Sequence, residues 1–261
     1  MKRLPFLLIL VALSTVLSVC AGLTEDFAAA NENLASGHAD EALATYKTLL
    51  THPNFRTSGS AEIWYNRGLA EMETGDTVEA SLSFRRALLL DPASVPARMQ
   101  LTKTLLALGL PVPDGWKERT SRFLHPEVMI VGGAVVGWIG ALSLVVLIFK
   151  ASRRKGLIAL ALLLIVVGHG ASVLGTLADP RRTASDKAVL TSKDPVTLRS
   201  TPADSATESG KLDPGALISI LSRNGTWWYV ATGLGQSGWI HANTATPLLS
   251  SSKAKGSSKL S

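Results

Sequence analysis

The sequence predicts a multidomain membrane protein with an all-α helical repeat, a two-helix transmembrane hairpin and a small all-β barrel, in that order. Three observations carry this. Two apolar runs, 128–149 and 156–177, contain no Asp, Glu, Lys or Arg and stand six residues apart. At roughly 1.5 Å per residue each run makes about 33 Å of helix, against a hydrocarbon core of roughly 30 Å. The stretch before them repeats a pattern of small and aromatic residues. The stretch after them breaks into short β-rich segments separated by turn clusters.

The chain has 261 residues, which leaves room for one small domain on each side of the hairpin. Residues 1–21 have the layout of a secretory signal peptide. Lys2 and Arg3 form the positive start, 4–16 the apolar stretch, and Val19, Cys20 and Ala21 the cleavage region. Three readings stand open here: cleavage after Ala21, lipid attachment at Cys20, or an uncleaved anchor. All three export the segment from residue 22 onward. Cys20 is the one cysteine, so no disulfide forms within the chain. The turn 150–155 carries Lys150, Arg153, Arg154 and Lys155, which favours the cytoplasmic side. Lys117, Arg119 and Arg122 oppose this, with Glu118 and Glu127 among them. With the turn inside, both flanking domains lie outside.

Within 61–92, Trp64, Gly68, Gly75, Ala80, Phe84, Ala87 and Pro92 fall at the offsets of a 34-residue tetratricopeptide repeat. Gly68 and Ala80 let two helices approach, and Gly75 ends the first in a left-handed turn. Phe84 and Trp64 fill the groove, and Pro92 stops the second helix. Gly37, Ala42, Tyr46 and Leu49 precede Gly75, Ala80, Phe84 and Ala87 by a constant 38 residues, the excess fitting in the loop 52–60. Gly109 follows Gly75 by 34, and 95–108 is expected to be a capping helix. The repeat domain is therefore 22–110, with a linker over 111–127. First helices line the concave face of such arrays. The candidate partner contacts are Phe27, Asn31 and Leu34, then Tyr65, Leu69 and Met72, then Met99, Lys103 and Leu106. Packing between units is the competing use of these positions.

In the hairpin, Gly133, Gly137 and Ala141 recur every four residues, as do Gly168 and Ser172, and Ala171 and Gly175. Small residues at this spacing let helices pack closely. His169 is the one readily ionisable group in the runs. It is expected to be neutral, hydrogen-bonded to the other helix or near the outer interface. Trp138 is expected to fill space between helices.

After a polar, basic linker over 178–187, strands are expected at 188–191, 196–199, 217–221, 227–231 and 238–241. Turn clusters at 201–204, 213–215 and 223–225 separate them. Val196-Thr-Leu-Arg-Ser200, Gly210-Lys-Leu212, Gly215, Trp227-Trp-Tyr-Val230 and Gly238-Trp-Ile-His241 occur in the order and spacing of a bacterial SH3 domain, which 188–249 resembles. The resemblance implies protein or cell-wall binding, with Trp227, Trp228 and Tyr229 as the candidate binding aromatics and Trp239 expected in the core. Strand alternation points one of Trp227 and Trp228 inward and the other outward. The run 233–238 fits a dinucleotide-binding spacing, but it precedes a strand rather than a helix and reads as a hairpin loop. Asn224-Gly-Thr226 is a formal glycosylation sequon and reads as a turn. Residues 250–261 are a Ser/Lys tail, expected to be disordered.

The whole arrangement, resting on Trp64 to Pro92 in the repeat and on Leu198-Arg-Ser200 and Gly238-Trp-Ile240 in the β module, resembles the BatE family of the bacterial aerotolerance (Bat) system. This implies a scaffold linked to oxidative-stress tolerance, with other Bat proteins as partners, among them membrane-anchored von Willebrand A-type subunits. It also implies a bacterial inner-membrane location with both domains periplasmic. The net charge of +6 is scattered over flanks, turn and tail, which argues against nucleic acid as a partner. His38, His52, His125, His169 and His241 are dispersed and form no H-x-x-x-H pair. No enzyme, metal site or cofactor is therefore expected. Two functions remain: a membrane-tethered adaptor for envelope proteins, or a peptidoglycan-binding protein that recruits an envelope-remodelling enzyme through its repeats.

Overall fold

A computed structural model describes residues 23–51, 60–112, 126–149 and 155–249. The signal segment with Cys20, most of the linker 111–127, most of the turn 150–155 and the tail 250–261 lie outside the described residues, and so do the expectations for them.

Five helices form the repeat region: α1 (23–35), α2 (Ala39–Thr51), α3 (Ala61–Glu73), α4 (Thr77–Leu90) and α5 (Val95–Ala107). Short polar side chains start three of them. Ser60 accepts from the Ile63 amide at 3.1 Å, Asp76 from Glu79 at 3.2 Å and Ser94 from Ala97 at 3.4 Å. Gly75 ends α3 at φ 82°, a conformation that penalises a Cβ, and Gly37 and Gly109 close α1 and α5 the same way. Gly68 serves a close approach: a Cβ there would stand 2.6 Å from the buried Phe84 ring. Trp64 departs from expectation. It is half-buried, and its ring lies under two guanidinium groups, Arg86 at 4.6 Å and Arg67 at 5.2 Å, instead of filling the groove.

α5 covers α4 with Leu101 and Leu105. Its far side still exposes Val95, Met99 and Leu106, so the expected cap presents a new apolar face. α4 itself is buried nearly all round. Ala80 and Phe84 meet the other helices, while Leu82, Arg86 and Leu89 point the opposite way.

Two apolar helices follow, Pro126–Phe149 and Lys155–Ala178, each long and apolar enough to cross a membrane. Gly133, Gly137 and Gly140 meet Ala161, Gly168 and Ser172 of the second helix. A Cβ on Gly168 would press on the Gly137 backbone and lie 2.6 Å from the Gly133 carbonyl oxygen. Gly140 extends the glycine row beyond the residues read from the sequence, with Ala141 half-buried beside it. The His169 ring lies over Gly137, and its Nδ1 stands 3.0 Å from the Ile165 carbonyl of its own helix. The bond expected to the other helix is replaced by this local one. Trp138 is 65 % exposed and fills no interhelical space.

A 3-10 segment, Pro180–Asp186, then leads into seven strands. They are β1 (Lys187–Leu190), β2 (Val196–Arg199), β3 (Glu208–Leu212), β4 (Leu217–Asn224), β5 (Trp227–Thr232), β6 (Ser237–His241) and β7 (Ala245–Pro247). They pair antiparallel in the order β3-β2-β6-β5-β4-β1-β7. The expected barrel does not close. β3 and β7 are edges, and β7 ends at Pro247, which has no N–H to extend a ladder. β3 and β7 are additions to the expected strands, because Glu208-Ser-Gly-Lys-Leu212 lacks β-branched residues and β7 spans three positions. Ala188, Leu190, Leu198, Ile218, Val230 and Ile240 form the core on one face.

The repeat and the β module pack together. Leu82 and Leu89 of α4 share a buried cluster with Ala184, Val189 and Leu248. Arg86 donates from Nε to the Leu248 carbonyl at 3.1 Å and from Nη2 to the Pro247 carbonyl at 2.9 Å. β1 is accordingly buried on both faces: Ala188 and Leu190 turn to the sheet's own core, Val189 to α4.

Candidate functional site

Two surfaces are candidates for recognition: the first-helix face of the repeats and one face of β5–β6. On the repeats, most of the expected contact residues are engaged internally. Phe27 packs on Tyr46, ring centroids 6.3 Å apart. Leu34 joins the same cluster. Asn31 Oδ1 accepts from Tyr46 Oη at 2.7 Å and from Asn66 Nδ2 at 2.8 Å, tying α1, α2 and α3 together. Tyr65 stacks on Phe84 at 6.0 Å. Leu69 and Met72 pack in the α3–α5 cluster, where the Met72 sulfur accepts from Thr104 Oγ1 at 3.5 Å. Met99, Lys103 and Leu106 stand exposed together on α5.

Two buried polar groups hold the helices in register. Glu71 accepts from Arg67 Nε at 2.7 Å and from Ser83 Oγ at 2.6 Å, and burial, outweighing Arg67, keeps its carboxyl above the usual range. Burial, reinforced by the Glu62 charge, pushes the Tyr46 phenol up to about 12. Unfolded tyrosine titrates near 10, so the folded state holds this proton more tightly. Its stabilisation is fully present below about pH 10 and is lost as pH rises through about 12. Thermal unfolding of the full chain in detergent should therefore show wild type losing stability against Tyr46→Phe between those values. At neutral pH the order reverses, Tyr46→Phe being less stable by about 1 kcal/mol through the lost bond to Asn31.

On the β module, strand register assembles an aromatic row. Trp227 pairs with His241 and Tyr229 with Trp239 across β5–β6. The Trp227 and His241 ring centroids are 3.8 Å apart, and those of Tyr229 and Trp239 are 5.3 Å apart. Tyr229 Oη donates to Ser237 Oγ at 3.2 Å, and His241 Nε2 lies 2.9 Å from Asp204 Oδ1. Trp239, expected in the core, lies on this outer face, because Gly238 and Ile240 take the inward positions of β6. Trp228 turns the other way, packs against the core and carries Arg223 at 5.6 Å. The row is thus Trp227, Tyr229, Trp239 and His241. Alternation along β6 was the available signal for Trp239 and His241. Such a surface offers stacking faces with polar ends, suited to holding a ligand. Among the described residues no cluster of three or more His, Cys, Asp or Glu side chains could hold a metal.

Residues 61–94 match the family model described as tetratricopeptide repeat. No curated protein and no solved structure matches the chain. The match spans α3, α4 and the turn after them, where Gly68, Ala80 and Phe84 pack the two helices together and Gly75 ends the first of them. α3 and α4 are therefore a tetratricopeptide repeat, a unit that points to protein–protein interaction.

Proposed function

We propose that the chain is a non-enzymatic, membrane-tethered adaptor that presents its repeats and its SH3-like β module to envelope proteins on the periplasmic side of a bacterial inner membrane. One observation carries this reading: the α4 joint packs the two modules against each other at the end of the hairpin where both apolar helices meet the flanking chain. There Arg181, beside the end of the second helix, pairs with Glu127 at the start of the first, at 2.8 Å. A joint of this kind favours both modules on one side of the bilayer. The architecture's resemblance to BatE favours an aerotolerance complex, with von Willebrand A-type proteins as partners.

Reporter fusions after residues 112 and 249 test the topology, both being expected to read as periplasmic. Opposite readings would sink the proposal. Co-expression of the full chain with a von Willebrand A-type partner should give co-purification, reduced at least several-fold by Met99→Glu with Leu106→Glu. Undiminished capture would remove α5 as the contact. The aromatic row supports a second reading, in which the β module holds peptidoglycan and the repeats recruit a remodelling enzyme. Retention of the full chain on purified sacculi, abolished by Trp239→Ala, would favour it.

A further inference from the structure

A cavity of about 180 Å³ lies between α4, α5, the end of the second apolar helix and the outer side of β1 and β4. Arg85, Arg98, Lys187 and Asp179 supply its charged lining, and Leu217 and Leu248 part of its apolar wall. Arg85 is 8 % exposed, and its Nε finds no acceptor among the described residues. Burial draws its guanidinium down to about 10, so it stays charged at neutral pH. A buried cation left uncompensated is costly, and a guanidinium cannot escape by losing its proton at neutral pH. Arg98 donates from Nη2 to the Pro92 carbonyl, and Lys187 is half-buried on β1.

The one carboxylate in the lining does not compensate Arg85. Asp179 Oδ1 accepts from the Arg181 amide at 2.9 Å and from Arg181 Nε at 3.1 Å, and Oδ2 from Arg181 Nη2 at 3.3 Å. Its charge is therefore taken up by a cation that does not line the cavity. Ala178, the last residue of the second apolar helix, forms part of the wall, so the chamber stands at the level where that helix ends.

We propose that this cavity binds a phosphate group, with Arg85 as the buried contact and Arg98 and Lys187 adding positive charge around it. The planar guanidinium fork matches phosphate oxygens bidentately, which a single ammonium does not. Two sources carry that chemistry: the headgroup of an anionic phospholipid, or free phosphate. The lipid source rests on the tether reading above, and the free-phosphate source does not.

The test uses the full chain in non-ionic detergent and reads its thermal unfolding. Inorganic phosphate is titrated against chloride at equal ionic strength, and phosphatidylglycerol against phosphatidylcholine in mixed micelles. A saturable rise in melting temperature is expected with phosphate, phosphatidylglycerol or both. A rise with phosphatidylglycerol alone assigns a lipid headgroup, and a rise with phosphate alone assigns a soluble anion. Arg85→Met should abolish the rise. Lys187→Met, on a half-buried strand position, should weaken it several-fold and keeps the test valid if Arg85→Met misfolds. No rise with either ligand, or a rise undiminished in both variants, overturns the proposal. Recovery of the chain in the soluble fraction without detergent would refute the tether but leave the phosphate titration readable.

Discussion

Gly168→Leu drives the two apolar helices apart. Any Cβ at this position meets backbone, the Gly137 nitrogen and the Gly133 carbonyl, and backbone in a packed helix pair cannot step aside as a side-chain tip can. Overpacking of this kind costs about 1–3 kcal/mol in cores that can repack, and more where they cannot. We expect the upper end of that range or beyond, read as a lower melting temperature of the full chain in detergent. Gly170→Leu is the control. It lies two residues along the same helix with nothing within 4 Å of its Cβ direction, so it adds the same apolar bulk without a clash. Equal melting temperatures for the two variants would mean that the glycine row does not hold the helices together. Gly132→Leu, equally open on the first helix, should behave like Gly170→Leu.

Leu82→Asp unfastens the repeats from the β module. Leu82 is 1 % exposed and sits in the cluster with Leu89, Ala184, Val189 and Leu248. The substitution removes a buried apolar side chain, worth about 2–5 kcal/mol in comparable sites, and places a carboxylate with no partner in the same space. Arg86 then loses the geometry for its two bonds to the Pro247 and Leu248 carbonyls. Arg181 and Arg182 lie in the 3-10 segment between the second apolar helix and β1, so limited trypsin digestion reads the change directly. Wild type should resist cleavage there, and Leu82→Asp should be cut early, with a lower melting temperature. Leu106→Asp, at a position 65 % exposed on α5, should change stability by no more than about 0.5 kcal/mol. Early cleavage in wild type as well would show that the joint does not hold in solution.

The boundaries of the apolar helices and of α3 and α4 were readable because each is announced locally. Composition marks the first two, and capping residues mark the others, with a glycine stop after α3 and Pro92 after α4. Strands 196–199, 217–221 and 227–231 were readable from β-rich runs between turns. β3 was not, since its strand character comes from pairing with β2 and not from its own residues. The candidate sites divide in the same way. Asn31 and Tyr65 have the residue types of a binding surface, but three-dimensional packing turns them into internal ties. Trp239 and His241 join Trp227 and Tyr229 only through the β5–β6 register, which no single strand specifies.

By itself the sequence determined the helices, five of the seven strands and their order, because helix period, apolar length and turn chemistry act over a few neighbouring residues. It determined the internal fit of the repeat too, since Gly68 and Phe84 lie within one 34-residue unit. Only the tertiary structure decided what α4 does with its second apolar face, which cations surround Arg85, and which aromatics share a surface. The first two of those outcomes depend on contacts between segments far apart in the chain, such as Arg86 with Leu248. Side-chain pattern names the faces that must be covered, but it carries no information on which distant surface covers them.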